Sequence, residues 1–301
     1  MTLRPGALVL AIGLLSACAP PPGAAPSVSP TPTFERLIAQ FDYDRSAPID
    51  MLAGEAEQLV GATMRSVTFA SPKGGRANVL LFAPPGAGPF PAVVMMAGSN
   101  QAPASLRTTA LELAKRGAVV LVADQSQTRP GHTPLFSFST TERDEFVQTV
   151  IDVRRSVDVL VARADVDPQR LAFWGFSHGA FIGGIEAGVE RRITAYVLQS
   201  GGGADYLRTT AAQRLRDPAL GAYLTSIASV DPNLYLAHAA PSAVFLQNGS
   251  LDKTYTASGV AAWQAAATEP KIVKVYEADH VLNAAATADA FAWLGSRIGT
   301  P

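Results

Sequence analysis

Cysteine is almost absent from this chain of 301 residues: Cys18 stands alone, so no disulfide staples the folded part. Histidine is scarce too, with four residues, and neither these nor the acidic residues show the paired spacing of a metal site, so no metal or cofactor is expected. No excess of one charge is present either. Lys and Arg number 24 against 25 Asp and Glu, a net charge of -1, which leaves no basic field for a polyanion and argues against nucleic acid as a partner. Nor does any apolar run reach the ~18 residues expected of a membrane-spanning helix. What the chain has instead is apolar material, 48% hydrophobic positions against 16% charged. That is enough for the core of one catalytic domain.

Residues 1–17 read as an export signal, with Arg4 in a short basic region, an apolar run from Ala7 to Leu15, and small residues after it. The tetrapeptide Leu15-Ser16-Ala17-Cys18 resembles the lipobox of bacterial lipoproteins. The resemblance implies cleavage before Cys18, a thioether-linked lipid on it, and a membrane partner through that anchor. Ala19 is not the aspartate that commonly signals inner-membrane retention, so the expected place is the bacterial outer membrane or cell surface. The alternative is ordinary cleavage after Ala19, which discards the cysteine and secretes the protein. Residues 18–33 are rich in Pro, Ala and Ser without charge and form a tether. The folded domain is expected over 34–301, with an N-terminal arm to about Gly61 and an insertion over about 202–240.

Beyond the arm, short apolar runs alternate with helical patterns. Eight strands are expected, at 64–70, 77–82, 92–96, 118–123, 171–174, 195–198, 243–246 and 272–276, and their near-continuous apolar character suits burial on both faces. Leu106, Ala110, Leu113 and Ala114 repeat at helical spacing, with Ser105 as cap and Gly117 as stop. Phe146, Val150, Val153, Val157, Leu160 and Val161 do the same over a longer span. The series predicts an α/β fold, a mostly parallel sheet with helices on both sides. The segment after the sixth strand, from Gly202 to His238, is too long for a plain connection and is read as a partly helical insertion over the sheet edge. Leu135, Phe136 and Phe138 fall in another long connection and are read either as a pocket wall or as buried packing.

Gly175-Phe176-Ser177-His178-Gly179 follows an apolar strand and runs into an apolar helix, the strand, turn and helix of a nucleophile elbow. Side chains at 175 and 179 would collide if the backbone turned tightly enough to present Ser177. A serine hydroxyl needs a base, and among the four histidines His280 follows a strand at the carboxyl end of the sheet, where sites in such folds form. His132 and His238 read as surface or packing residues. The acid that orients His280 is assigned to Asp252, after the preceding strand, ahead of the adjacent Asp279 and of Glu277. Two backbone donors are needed for an oxyanion: His178 supplies one, and the turn Ala97-Gly98-Ser99-Asn100 the other, with Ser99 preferred to Asn100.

The order Ser177, Asp252, His280, the elbow after a strand, and a Gly-containing turn after an earlier strand resemble the α/β-hydrolase superfamily over about residues 62–298. Val166-Asp167-Pro168-Gln169-Arg170 and Pro89-Phe90-Pro91-Ala92-Val93-Val94 are similar to strings of its dienelactone hydrolase, acetyl xylan esterase and prolyl oligopeptidase branch. Dienelactone hydrolases use cysteine where Ser177 stands, and the usual His-Gly of the oxyanion turn is Ala97-Gly98 here. The resemblance implies an α/β-hydrolase fold and a serine hydrolase acting on a small-molecule ester through an acyl-enzyme. A peptidase of prolyl-oligopeptidase type and a noncatalytic binding lipoprotein are the alternatives. A dinucleotide-binding reading fails, because the turn at Gly98 lacks the further glycines that let backbone approach a pyrophosphate.

Overall fold

A computed structural model of the chain describes Thr2 and residues 33–300. Cys18, the export signal and the tether lie outside the described residues, Thr2 and Thr33 excepted.

Ten strands make one sheet: β1 (Leu52–Ala53), β2 (Glu57–Leu59), β3 (Ala62–Ala70), β4 (Arg76–Ala83), β5 (Phe90–Met96), β6 (Val119–Ala123), β7 (Val166–Phe176), β8 (Ala195–Gln199), β9 (Ala243–Gly249) and β10 (Lys271–Tyr276). Their order is β1-β3-β4-β6-β5-β7-β8-β9-β10, with β2 also paired to β3. The pairs formed by β3 and β4 are antiparallel, and every pair from β6 to β10 is parallel. The eight expected strands are β3 to β10. The two additional ones are short, mostly exposed pieces of the arm that pair with β3, and such fragments carry no alternation by which a sequence could announce them.

Alternation along the central strands divides the core into two layers. Ala92, Val94 and Met96 of β5 face a core shared with α3 (Glu142–Val161) and α4 (His178–Val189), while Val93 and Met95 face α2 (Arg107–Lys115) and α9 (Ala284–Ile298). Both faces are therefore buried, and each fully buried Val, Leu or Phe side chain contributes about 1.5–3 kcal/mol. Ser105 does not cap α2 as expected. It lies in a 3₁₀ turn over Pro103–Leu106 that carries the chain into the helix, whereas Gly117, at φ +87°, does end it.

The insertion between β8 and β9 holds α5 (Asp205–Arg214), α6 (Ala219–Ile227) and α7 (Asn233–Leu236). It packs on α3, on α4 and on α8 (Ala257–Ala266) rather than over the sheet edge, because Leu207, Tyr223, Ile227 and Tyr235 join the larger core. No helix among the described residues is long and apolar enough to cross a membrane. Because β5 lies between β6 and β7, the crossover after β5 runs to one side, to β6, and that after β7 to the other, to β8, and a crevice opens at the carboxyl ends of these strands.

Candidate active site

Ser177 occupies the turn from β7 into α4 with φ 54° and ψ -111°, a conformation that L residues rarely adopt. Holding it costs on the order of 1–3 kcal/mol. The surrounding backbone supplies the constraint: Ser177 N–H donates to Gln199 O at 2.8 Å and Gly179 N–H to Ala97 O at 3.0 Å. A methyl group on Gly175 would stand 2.3 Å from Gly179 O, and one on Gly179 would stand 2.1 Å from Met96 O. These contacts are the physical reason for both glycines of the motif.

The structure brings His280 and Asp252 to this serine. His280 Nε2 lies 2.8 Å from Ser177 Oγ, and His280 Nδ1 lies 2.8 Å from Asp252 Oδ2. With Nδ1–H donating to the carboxylate, Nε2 is left to accept the serine proton. The Asp252 side chain is 3% exposed, and its other oxygen accepts from Thr254 N–H at 2.7 Å. Asp279 has a different partner: its Oδ1 accepts from the backbone N–H of His280 at 2.7 Å, which fixes the loop and not the ring. His132 bonds Glu145 at 2.9 Å and the exposed His238 stacks on Phe34, so neither comes near Ser177.

His178 and Ser99 both line the pocket beside Ser177. His178 is the first residue of α4, where no turn of helix precedes it to accept its N–H. Among the described residues neither its N–H nor that of Ser99 has a protein acceptor, whereas Asn100 N–H already donates to Gln125 Oε1 at 3.2 Å. Of these two residues of the turn, only Ser99 keeps its N–H without a protein acceptor among the described residues. The His178 ring is enclosed by Phe146 and Phe181, and burial draws its pKa down to about 4, so it is neutral.

A pocket of about 320 Å³ opens onto Ser177, walled by Leu135, Phe136, Phe146, Phe181, Tyr206 and Tyr255. The two readings of the apolar cluster divide between its members: Leu135 and Phe136 wall the pocket, while Phe138 is packed edge-on against Tyr223, ring centroids 5.5 Å apart. No Asp, Glu, Lys or Arg is among the described residues lining the pocket. Nor do three His, Cys, Asp or Glu side chains among the described residues gather as a metal would require.

Two residues next to the site escape a reading of the sequence. Gln125 is fully buried and reaches the oxyanion turn, and Gln127 joins it to the His178 ring. The available signal is the polar string Asp124-Gln125-Ser126-Gln127 directly after the wholly apolar β6.

No protein-family model matches the chain, and no curated protein matches it. Solved structures do. An acetyl xylan esterase 1 from Thermoanaerobacterium sp. superposes with a TM-score of 0.71 at 19% identity, covering 86% of this chain and 92% of that one. An acetyl xylan esterase from Paenibacillus sp. R4 gives 0.71 at 16% identity, covering 87% and 92%. A glucuronoyl esterase from Solibacter usitatus gives 0.63 at 15% identity, covering 87% and 91%. Together with the strand order and the turn that carries Ser177, these likenesses show that the chain has the α/β-hydrolase fold.

Proposed function

We propose that the chain is a carboxylic-ester hydrolase in which Ser177 is the nucleophile, His280 the general base and Asp252 the acid that orients it. The observation that carries this reading is the continuous relay from Ser177 Oγ through His280 to Asp252, both links 2.8 Å, at the mouth of a pocket. His280 takes the proton as Ser177 Oγ attacks the ester carbonyl, and the N–H groups of His178 and Ser99 donate to the oxygen that becomes negative. Collapse of the tetrahedral adduct expels the alcohol, which receives the proton from His280. Water then repeats the sequence on the acyl-enzyme and releases the acid.

Two observations favour an ester over a peptide. The pocket beside Ser177, about 320 Å³ and walled largely by aromatic side chains, has room for a small group and offers no charged partner to a peptide chain. An ester departs readily once its adduct is stabilised, whereas an amide needs firm binding and protonation of a poor leaving group. The similar structures are themselves named as esterases. Without a charged wall residue, the acyl group favoured is uncharged and of small or medium size. Export, with a lipid on Cys18, belongs to the same proposal.

The test is covalent labelling by a fluorophosphonate together with turnover of p-nitrophenyl esters. Ser177→Ala should lose both, and Asp252→Asn should lower kcat by orders of magnitude, as tautomer control is worth ~10⁴ in serine proteases. Undiminished hydrolysis by Ser177→Ala, or matched amides cleaved as fast as esters, contradicts the reading.

A further inference from the structure

We propose that Gln125 is the positioning residue of the oxyanion hole, one carboxamide that clamps the turn carrying the Ser99 donor and is tied through Gln127 to the side chain of His178; the inference rests on the serine-hydrolase reading above. Gln125 is 0% exposed, and its amide engages the turn that carries the Ser99 N–H and the side chain of Gln127. Nε2 donates to Gly98 O at 2.7 Å, with longer contacts to Gln101 O at 3.3 Å and Ala97 O at 3.4 Å. Oε1 accepts from Asn100 N–H at 3.2 Å and from Gln127 Nε2 at 2.8 Å. Gln127 Nε2 in turn lies 3.2 Å from His178 Nε2.

The residues on either side of Ser99 are therefore bonded to one amide, while the Ser99 N–H itself is left without an acceptor. Clamped at 98 and 100, the turn has little freedom to rotate the peptide between them. Asn100 takes a left-handed conformation, φ 58°, which asparagine adopts more readily than other non-glycine residues, and the clamp holds its N–H in that orientation. From within, the turn is tied among the described residues only at Gly98, whose N–H donates to Gln101 Oε1 at 3.2 Å and whose carbonyl accepts from Gln101 N–H at 3.1 Å, which leaves the Asn100 side of Ser99 to Gln125. Gln125 is a rigid post for this task, because its own carbonyl accepts from Thr128 N–H at 2.9 Å and Thr128 Oγ1 at 2.7 Å. A buried amide must find partners somewhere, but nothing in that requirement would place them on both sides of Ser99.

An oxyanion hole works because its donors are aimed before the charge develops, and misplacement by ~1 Å is worth about 100-fold. Gln125→Met keeps the length of the side chain and removes every hydrogen bond of its amide; Gln127→Met leaves the bonds from Gln125 to the turn in place and removes the link from Gln125 to the His178 ring, together with a long contact from Thr149 Oγ1 to Gln127 Oε1 at 3.4 Å. In Gln125→Met, kcat and kcat/KM for a p-nitrophenyl ester should fall together by roughly 10- to 100-fold, with KM within about 3-fold, the pattern of an interaction used in the transition state alone. Labelling of Ser177 by a fluorophosphonate should slow by a similar factor, since its phosphoryl oxygen needs the same donors. The acid limb of the pH profile should not move, as the relay from His280 to Asp252 is untouched. Gln127→Met should show the same pattern at roughly 3- to 10-fold.

A loss confined to KM or to thermal stability, or rates within about 3-fold of the parent, would overturn the inference. If Gln125→Met does not fold, Gln127→Met decides by its own range: unchanged kcat and labelling there overturn the inference. A parent protein that neither labels nor hydrolyses esters refutes the hydrolase reading itself, a result distinct from labelling that proceeds equally fast in parent and variants.

Discussion

The ring of His178 stands apart from the role proposed for its backbone, and it leaves a measurable trace. Packed between Phe146 and Phe181 without a charged neighbour, it titrates near 4 in the folded chain against about 6.5 for an ordinary histidine. Between those values the unfolded chain binds more protons than the folded one. The stabilising contribution is thus complete above about pH 6.5 and drains away as pH falls towards 4, by about 3 kcal/mol in all. Urea midpoints followed from pH 7 to pH 4.5 should therefore decline more steeply for the parent than for His178→Gln; equal slopes would mean that the ring is not kept neutral by burial. Among single residues, Ser177 is legible in the sequence because its motif abuts an apolar strand, and His280 and Asp252 because each follows one. Gln125 is not, since an amide carries no motif and its partners at Asn100 and Gly98 stand 25 and 27 residues away.

The connection from β6 to α3 shows how an element without regular structure becomes a pocket wall. Phe136 and Phe138 both have positive φ, 66° and 52°, and their N–H groups donate to the two carboxylate oxygens of Glu142 at 2.6 and 2.9 Å. Glu142 heads α3, where a carboxylate suits the helix dipole, although burial pushes its pKa up. So pinned, Phe136 meets Tyr206 of α5 edge-on, centroids 5.8 Å apart, and the connection and the insertion share one wall. Phe136→Ala should shift the ratio of kcat/KM for a decanoyl over a butanoyl ester upward by roughly 10-fold, since hydrophobic contacts of this size discriminate by 1–3 kcal/mol. An unchanged ratio would place Phe136 off the path of the acyl chain. Strands β3 to β10 are legible as apolar runs, but the docking of α5, α6 and α7 is not: their helical pattern says which face is buried and not which helices receive it. That information resides in long-range partners such as Phe138 with Tyr223.

For the whole molecule, the proposal of a lipid on Cys18 separates from that of catalysis, because no described helix spans a membrane and the net charge of -1 offers no electrostatic hold on an anionic surface. Expressed in a bacterium, the full chain should incorporate labelled fatty acid and sediment with membranes, and Cys18→Ser should do neither. Parent protein recovered free, with its N-terminus at Pro20, would indicate plain secretion. The contact between Gly179 and Met96 has a further bearing on the molecule as a whole. There the start of α4 meets the end of β5 main chain against main chain, with no room for even one carbon between them. A joint of this kind has nothing to repack, so under the proposed mechanism the gap between Ser177 and the N–H groups of His178 and Ser99 works as a fixed gauge. On the same proposal, breadth of substrate resides in the exchangeable jaws around it, Phe136 on one side and Tyr206 on the other, which can be recut while the gauge stays the same.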